Sequence, residues 1–265
     1  MVRRLSLIAL LFSGVANGQT STVEHFLVPI YNGAPGAFGS QWVAELRVMN
    51  TGTAPAAIDN LTDFSGVEPI LPPLLLPQAS MNASQAIRDV PGGTGIQGAL
   101  LLIQKPVATQ FAFQSRVRDV SRDAERWGVA IPIIDESAAT TEPIDLLSVP
   151  IDPRFRQMLR VYSFDRAPGS QVRVRFYGTS TQNRIPNTPD TLLAEAALPL
   201  TLAVTVSQPS YAELANLAAI PGVAGSGYAE IRVRVEPLQA TRLWAMVSVT
   251  NNTTQEVTII TPNAP

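Results

Sequence analysis

The 265-residue chain has no cysteine, a single histidine (His25) and a single lysine (Lys105). Without cysteine it can build no disulfide framework, thiolate metal site, cysteine nucleophile or acylated lipobox, although an oxidising compartment stays open to it. One histidine leaves almost no material for a Ser-His-Asp relay or a multi-histidine zinc site. His25 therefore reads as a residue of an N-terminal strand rather than as a base or ligand. Charge is scarce: 15% of residues are charged and the formal net charge is −2, so nothing attracts nucleic acid globally. Aromatics are 6% of the chain and are not interleaved with basic residues, which removes the stacking platform of a single-strand binder. Long apolar runs are missing after the N-terminus. Those around Leu74 to Leu76 and Leu198 to Val206 are short or broken, below the roughly 20 residues a membrane helix needs.

What is present is apolar and rich in turns. Hydrophobic residues make up 46% of the chain, and 22 prolines and 17 glycines are scattered without period. That pattern predicts many short strands joined by turns, hence an all-β protein whose stability comes from packing alone. Met1 to Arg4 and the apolar run Leu5 to Val15, followed by small residues at Ala16 and Gly18, read as a cleavable signal peptide over residues 1–18. Its loss would remove Arg3 and Arg4 and take the formal charge from −2 to −4. The expected mature protein is secreted or periplasmic, with no integral membrane segment.

An internal repeat organises the remainder. Trp42, Leu46, Arg47, Val48, Ala54 and Pro55 match Phe155, Leu159, Arg160, Val161, Ala167 and Pro168 in order and spacing. Pro91, Gly92 and Ala99 match Pro221, Gly222 and Ala229, and Phe111, Ala112, Phe113 and Ser115 match Trp244, Ala245, Met246 and Ser248. Two short terminal strands, Gly128 to Ile134 and Val257 to Pro262, close the copies. The expected domains are residues 19–138 and 139–265, meeting in the polar stretch Asp135 to Glu142. The second copy carries an exposed insertion from Gly178 to Asp190, rich in Thr, Ser, Asn and Pro.

Strict alternation in Gln171 to Phe176 and Glu230 to Val235 puts valine, isoleucine and phenylalanine on one face and arginine on the other, as in half-exposed antiparallel strands. Two short helices are expected, at Ala83 to Val90 and at Tyr211 to Ala219. In the second, Ser210 would cap and Glu213 would complete a capping box.

The stretch Gly39, Ser40, Gln41, Trp42, followed by Leu46, Arg47, Val48, Met49, Asn50, Thr51, Gly52, Thr53, Ala54 and Pro55, resembles a hairpin common in immunoglobulin-like domains of bacterial surface and secreted proteins. With Trp244, Ala245, Ser248, Asn252 and Thr254 near the end, the two-copy arrangement is similar to uncharacterised bacterial secreted tandem β-sandwich proteins. The resemblance covers nearly all of the mature chain and implies two tandem immunoglobulin-like β-sandwiches. Its motifs are turns and strands, so it transfers no catalytic residue, and a fold is not a function.

Candidate chemistry is thin. The carboxylates form no pattern of the paired kind that hydrolyses glycosides. Asp119 and Asp123, in the segment Arg118 to Arg126, lack the glycine-centred spacing of a calcium loop and read as a solvated turn. Arg173, Arg175, Arg232 and Arg234 would make a basic stripe for anionic polysaccharide if their strands were neighbours, but arginine also serves simply to fill solvent faces. Trp42 and Trp244 read as core anchors. Trp127, after a charged turn, and Tyr31, before a Gly-rich loop, are the candidates for sugar stacking. Sequons at Asn60, Asn82, Asn251 and Asn252 matter only in a glycosylating pathway.

These features predict a non-enzymatic secreted or periplasmic module for adhesion, scaffolding or ligand binding, with no catalytic residue, cofactor or metal. Its partner would be a protein or polysaccharide at the cell envelope. The alternative is a carbohydrate-binding module or a carboxylate-dependent glycan-active protein.

Overall fold

The computed structural model describes residues 22–30, 34–59, 74–82, 98–121, 127–165, 169–179, 190–203 and 208–262. The expected signal peptide, the helix at 83–90, Tyr31, Asp123, Asn60, the repeat positions at 91, 92, 167 and 168 and most of the 178–190 insertion lie outside the described residues. Among the described residues strand accounts for 56% and helix for 7%, so the fold class is all-β, and they form four antiparallel sheets.

The first sheet pair uses β1 (Val23–Val28), β2 (Ala34–Pro35), β3 (Gln41–Asn50), β4 (Ile58–Asp59), β5 (Ser80–Asn82), β6 (Ala99–Gln104), β7 (Phe111–Asp119), β8 (Val129–Ile131) and β9 (Ile134–Asp135). One sheet runs β4-β6-β1-β9; the other runs β2-β3-β7-β8, with β5 also on β3. Leu27, Leu101 and Ile103 from the first meet Leu46, Val48 and Val117 from the second in one core, a β-sandwich-like arrangement in which apolar residues alternate inward. The second pair uses β10 (Ile144–Pro150), β11 (Phe155–Ser163), β12 (Gln171–Gly178), β13 (Thr191–Pro199), β14 (Ser210–Ala215), β15 (Glu230–Pro237), β16 (Leu243–Asn251) and β17 (Val257–Ile260). Its sheets run β10-β15-β12-β13 and β14-β11-β16-β17, enclosing a core of Leu146, Val174, Phe176 and Val233 against Leu159, Val161, Ala245 and Val247.

The sheet β14-β11-β16-β17 is apolar on both sides. Along β16, Leu243, Ala245, Val247 and Val249 enter the second core while Trp244 and Met246 enter the first. On β11, Tyr162 joins the first core between Leu159 and Val161, which face the second, and Ser163. Tyr162 stacks near Trp244, ring centroids 6.2 Å apart, and its hydroxyl donates to the Pro29 carbonyl on the far side of the joint. Burial pushes the Tyr162 phenol upward, so it stays protonated and remains a donor at any ordinary pH. Polar ties flank this seam. Thr140 and Leu243 exchange backbone hydrogen bonds of 3.0 and 2.8 Å. Arg242 holds Glu136 (2.8 Å) and Asp165 (2.8 Å), and Glu136 also takes His25 at 2.6 Å.

Two expectations need correction. The segment Tyr211 to Ala219 is not a helix: Ser210–Ala215 is a strand paired with β11, Tyr211 opposite Tyr162, and only Leu217–Ala219 makes a single 3-10 turn. Ala212 and Leu214 face the second core, so the period is two, and a neighbouring strand offers Ser210 and Glu213 partners that outcompete a local cap. The expected repeat, if it is to follow the strand pairing, also needs a shift of one residue late in the copy. With Trp42 set equivalent to Phe155, their partners on the next strand are Asp119 and Asn251. This makes Ala112, not Phe111, the counterpart of Trp244, and a step of one residue changes the face of every side chain.

The Tyr162 hydroxyl gives a direct test of the joint. Tyr162→Phe keeps the ring but leaves the buried Pro29 carbonyl without its donor, and should cost about 1–2 kcal/mol in urea denaturation. An unchanged midpoint would mean the hydrogen bond contributes nothing across the seam.

Candidate functional site

The exposed tryptophan is placed by the turn that follows β7. Asp119 Oδ1 accepts from the Gln41 amide (2.9 Å), the Ser121 amide (3.0 Å) and the Ser121 hydroxyl (2.7 Å), anchoring the chain as it leaves the strand. The return passes through Gly128, whose φ is +80°; a Cβ there would lie 2.4 Å from the Val117 carbonyl oxygen. Only glycine fits so close to β7 in that conformation. The chain thereby delivers Trp127 onto the outward side of β7, over Arg116.

Beneath it lies a buried charge cluster. Glu45 on β3 is directly opposite Arg116 on β7, and its two carboxylate oxygens accept from Arg116 Nε and, at 2.7 Å, from Arg118 Nε. Burial pushes the Glu45 carboxyl up, but the hydrogen bonds and charges of the two arginines outweigh it and hold it below the ordinary carboxylate range. One carboxylate thus serves two guanidinium groups. Arg116 is itself buried, and its Nη1 has no hydrogen-bond partner among the described residues. The guanidinium lies under the indole: its carbon sits 4.0 Å from the centre of the Trp127 ring, a contact worth about 0.5–1 kcal/mol beside a ring this exposed.

Trp127 is nonetheless 70% exposed. One face rests on Arg116 and the remainder opens into a cleft of about 360 Å³ lined also by Trp42, Arg118, Asp119, Gln255 and Glu256. Trp42 is half-buried against the first core. Gln255, at φ +57°, is consumed: its side chain accepts from Arg156 (2.9 Å) and donates to the Asn252 carbonyl (2.7 Å). This presents the exposed Glu256 at the rim, next to β17. The cleft therefore lies where the end of the first sheet pair meets the last hairpin of the second.

The remaining expected residues distribute otherwise. Trp244 is buried, as a core anchor should be. The four arginines do lie on neighbouring strands, with Arg175 opposite Arg234, but they form no basic stripe. Arg175 binds Glu195 (2.7 Å) and Glu236 (3.1 Å), Arg232 binds Asp145 and Asp190 (both 2.7 Å), Arg234 binds Asp145 (3.1 Å) and Glu236 (3.0 Å), and Arg173 lies 3.3 Å from Glu195. Four acids neutralise four bases. His25 sits on β1, bound to Glu136. Asn251 and Asn252 spend their side chains on the hairpin before β17, the first accepting from Thr253 (2.8 Å) and the second donating to the Pro153 carbonyl (2.9 Å), while Asn82 lies on β5. Among the described residues no group of three or more metal-ligating side chains is placed to hold an ion, and no helix is long and apolar enough to cross a membrane. The Glu45–Arg116–Trp127 stack was missed in the sequence; its only trace there is the alternation Arg116, Arg118 on one strand and a lone Glu45 within an apolar one.

No protein-family model, curated protein or solved structure matches the chain.

Removing the shared acid isolates the cluster. Glu45→Gln leaves two arginines without their counter-ion and should destabilise the protein by roughly 3–5 kcal/mol. Because the folded-state pKa of Glu45 is lowered, its stabilisation is fully present above the unfolded carboxyl pKa and is lost as pH falls through the folded value. Urea midpoints measured from neutral pH down through the carboxylate range should therefore converge between wild type and variant. Parallel curves would mean Glu45 carries no such linkage.

Proposed function

We propose that the chain is an exported, non-enzymatic module of two tandem β-sandwiches, residues 19–138 and 139–265, that binds a ligand at the cell envelope through the Trp127 cleft. Adhesion and scaffolding are the roles such a module serves. The observation that carries the binding reading is the indole of Trp127, 70% exposed yet fixed on one face by a buried arginine. A large apolar ring left in water costs free energy unless something covers it in use, and here its orientation is set in advance.

The duplication is supported by strand order. The series β5-β3-β7-β8 and β14-β11-β16-β17 run alike, as do β4-β6-β1 and β12-β15-β10, and Arg47 faces Asn82 as Arg160 faces Glu213. These orders differ from the A-B-E-D and C-F-G sheets of an immunoglobulin constant domain, so the likeness to that class rests on the turn motifs alone. Export is supported by the charged, apolar and small-residue sequence of residues 1–18.

Both parts are open to experiment. Expressed from its full-length sequence, the protein recovered outside the cytoplasm should begin at Gln19 by intact mass; recovery only of chains beginning at Met1 would remove the export reading. In protein carrying fluorine-labelled tryptophan, polysaccharides, oligosaccharides and peptides of the cell envelope should include at least one that shifts the Trp127 resonance and leaves the buried Trp244 unmoved. If none moves Trp127 in folded protein, the cleft is not the ligand surface.

A further inference from the structure

We propose that the cleft is a subsite for a neutral saccharide, whose C–H face stacks on the open face of Trp127 and whose hydroxyls donate to Glu256. The inference rests on the reading of the cleft as the ligand surface and adds the ligand's chemical class. That class follows from what the surroundings of the ring have already used up.

Anions are disfavoured because, among the described residues, the two arginines beside the ring are already hydrogen-bonded to a carboxylate. Arg116 and Arg118 share Glu45, Asp119 borders the same cleft, and Glu256 stands exposed at the rim. An anionic polymer would meet the exposed Glu256 carboxylate, which repels it at short range. Cations are disfavoured by the ring itself. Its quadrupole is spent on a guanidinium 4.0 Å from the centroid, so a second cation on the opposite face would find both a weakened ring and a like charge behind it. What the open face still offers is dispersion and burial of apolar C–H surface, and what the rim offers is a hydrogen-bond acceptor. A neutral pyranose presents that combination: one face of axial C–H groups and an edge of hydroxyl donors. The volume of about 360 Å³ lies within the roughly 300–1,000 Å³ range of small-ligand sites, and Trp42, Val117 and Val129 supply apolar walls.

The test uses the full chain and defined probes. Cello-, manno- and chito-oligosaccharides form the neutral series, oligogalacturonate the anionic comparison and a mixed-sequence peptide the third arm, each titrated by calorimetry and by the Trp127 fluorine resonance. At least one neutral oligosaccharide should bind with little dependence on salt and shift Trp127. Trp127→Ala should weaken it by at least about tenfold, while Trp127→Phe, which restores a flat ring, recovers part of the loss; the Phe variant also guards against an Ala variant that fails to fold. Glu256→Gln should weaken binding less than Trp127→Ala. If oligogalacturonate or the peptide moves Trp127 and no neutral sugar does, the ligand class is overturned and the cleft stands. If a neutral sugar binds wild type and the folded Ala variant equally, the site lies elsewhere and the cleft falls too. Silence of the whole neutral series in folded protein overturns the proposal.

Discussion

A single sheet, β14-β11-β16-β17, has apolar side chains on both of its faces, and the arrangement of everything else follows from that. Strands buried on one face alternate apolar and polar residues; strands buried on both read as continuous apolar runs. β16 is of the second kind, with Leu243 to Val247 apolar without a break. Its odd-numbered residues complete the second core, and Trp244 and Met246 complete the first. Consecutive sandwiches in one chain usually move relative to each other unless the surface between them is large and hydrophobic. Here the seam contains a tryptophan, a methionine and a tyrosine whose hydroxyl reaches across to Pro29, so the two sheet pairs share core material instead of meeting at a wet boundary. Close approach is part of the design: a Cβ at Gly98 would lie 2.8 Å from the Tyr162 ring.

With packing concentrated in that seam, the outer faces are held by arginine. Each of Arg175, Arg232 and Arg234 bridges two acids contributed by different strands or by the loops beside them. A planar guanidinium with five donors can do this; the ammonium of lysine is a point charge on a flexible stem and holds two carboxylates less well. This geometry gives a physical reason for a chain with one lysine and many arginines. It also pairs each of those closely spaced arginines with an acid, so the described residues present no unopposed basic stripe there.

Features that depend on local pattern were legible in the sequence, and features that depend on distant partners were not. Alternation in Gln171 to Phe176 and Glu230 to Val235 placed two strands correctly, because burial on one face imposes a period of two whatever lies beyond. The same segments read as a basic stripe because their counter-ions are remote: Asp145 is 89 residues from Arg234 and Glu195 is 20 from Arg175. Ser210 and Glu213 carry a genuine local capping pattern, yet Ser163 and Arg160 on β11 stand opposite them, and pairing with an existing strand settled the matter. Trp127 could be singled out as following a charged turn. Its exposure depends on the left-handed glycine after it and on an arginine eleven residues before it, and neither relation is visible as a motif.

The tryptophan and the buried charges below it explain each other. Glu45 has two oxygens and gives one to each of two arginines, which leaves the buried Arg116 Nη1 with no acceptor among the described residues. An unsatisfied buried donor of that kind is costly, and an aromatic face is one of the few groups that can lie over a guanidinium and recover part of the cost. The ring is therefore held in place by the needs of the folded state. Its exposed side is followed directly by Gly128, which carries no side chain and returns the chain to β8. A ring fixed by the interior and bare on its outer side loses little freedom when a ligand covers it. On the proposed reading, binding at such a surface would draw on an orientation that folding has already supplied, through the same contact that lies over Arg116.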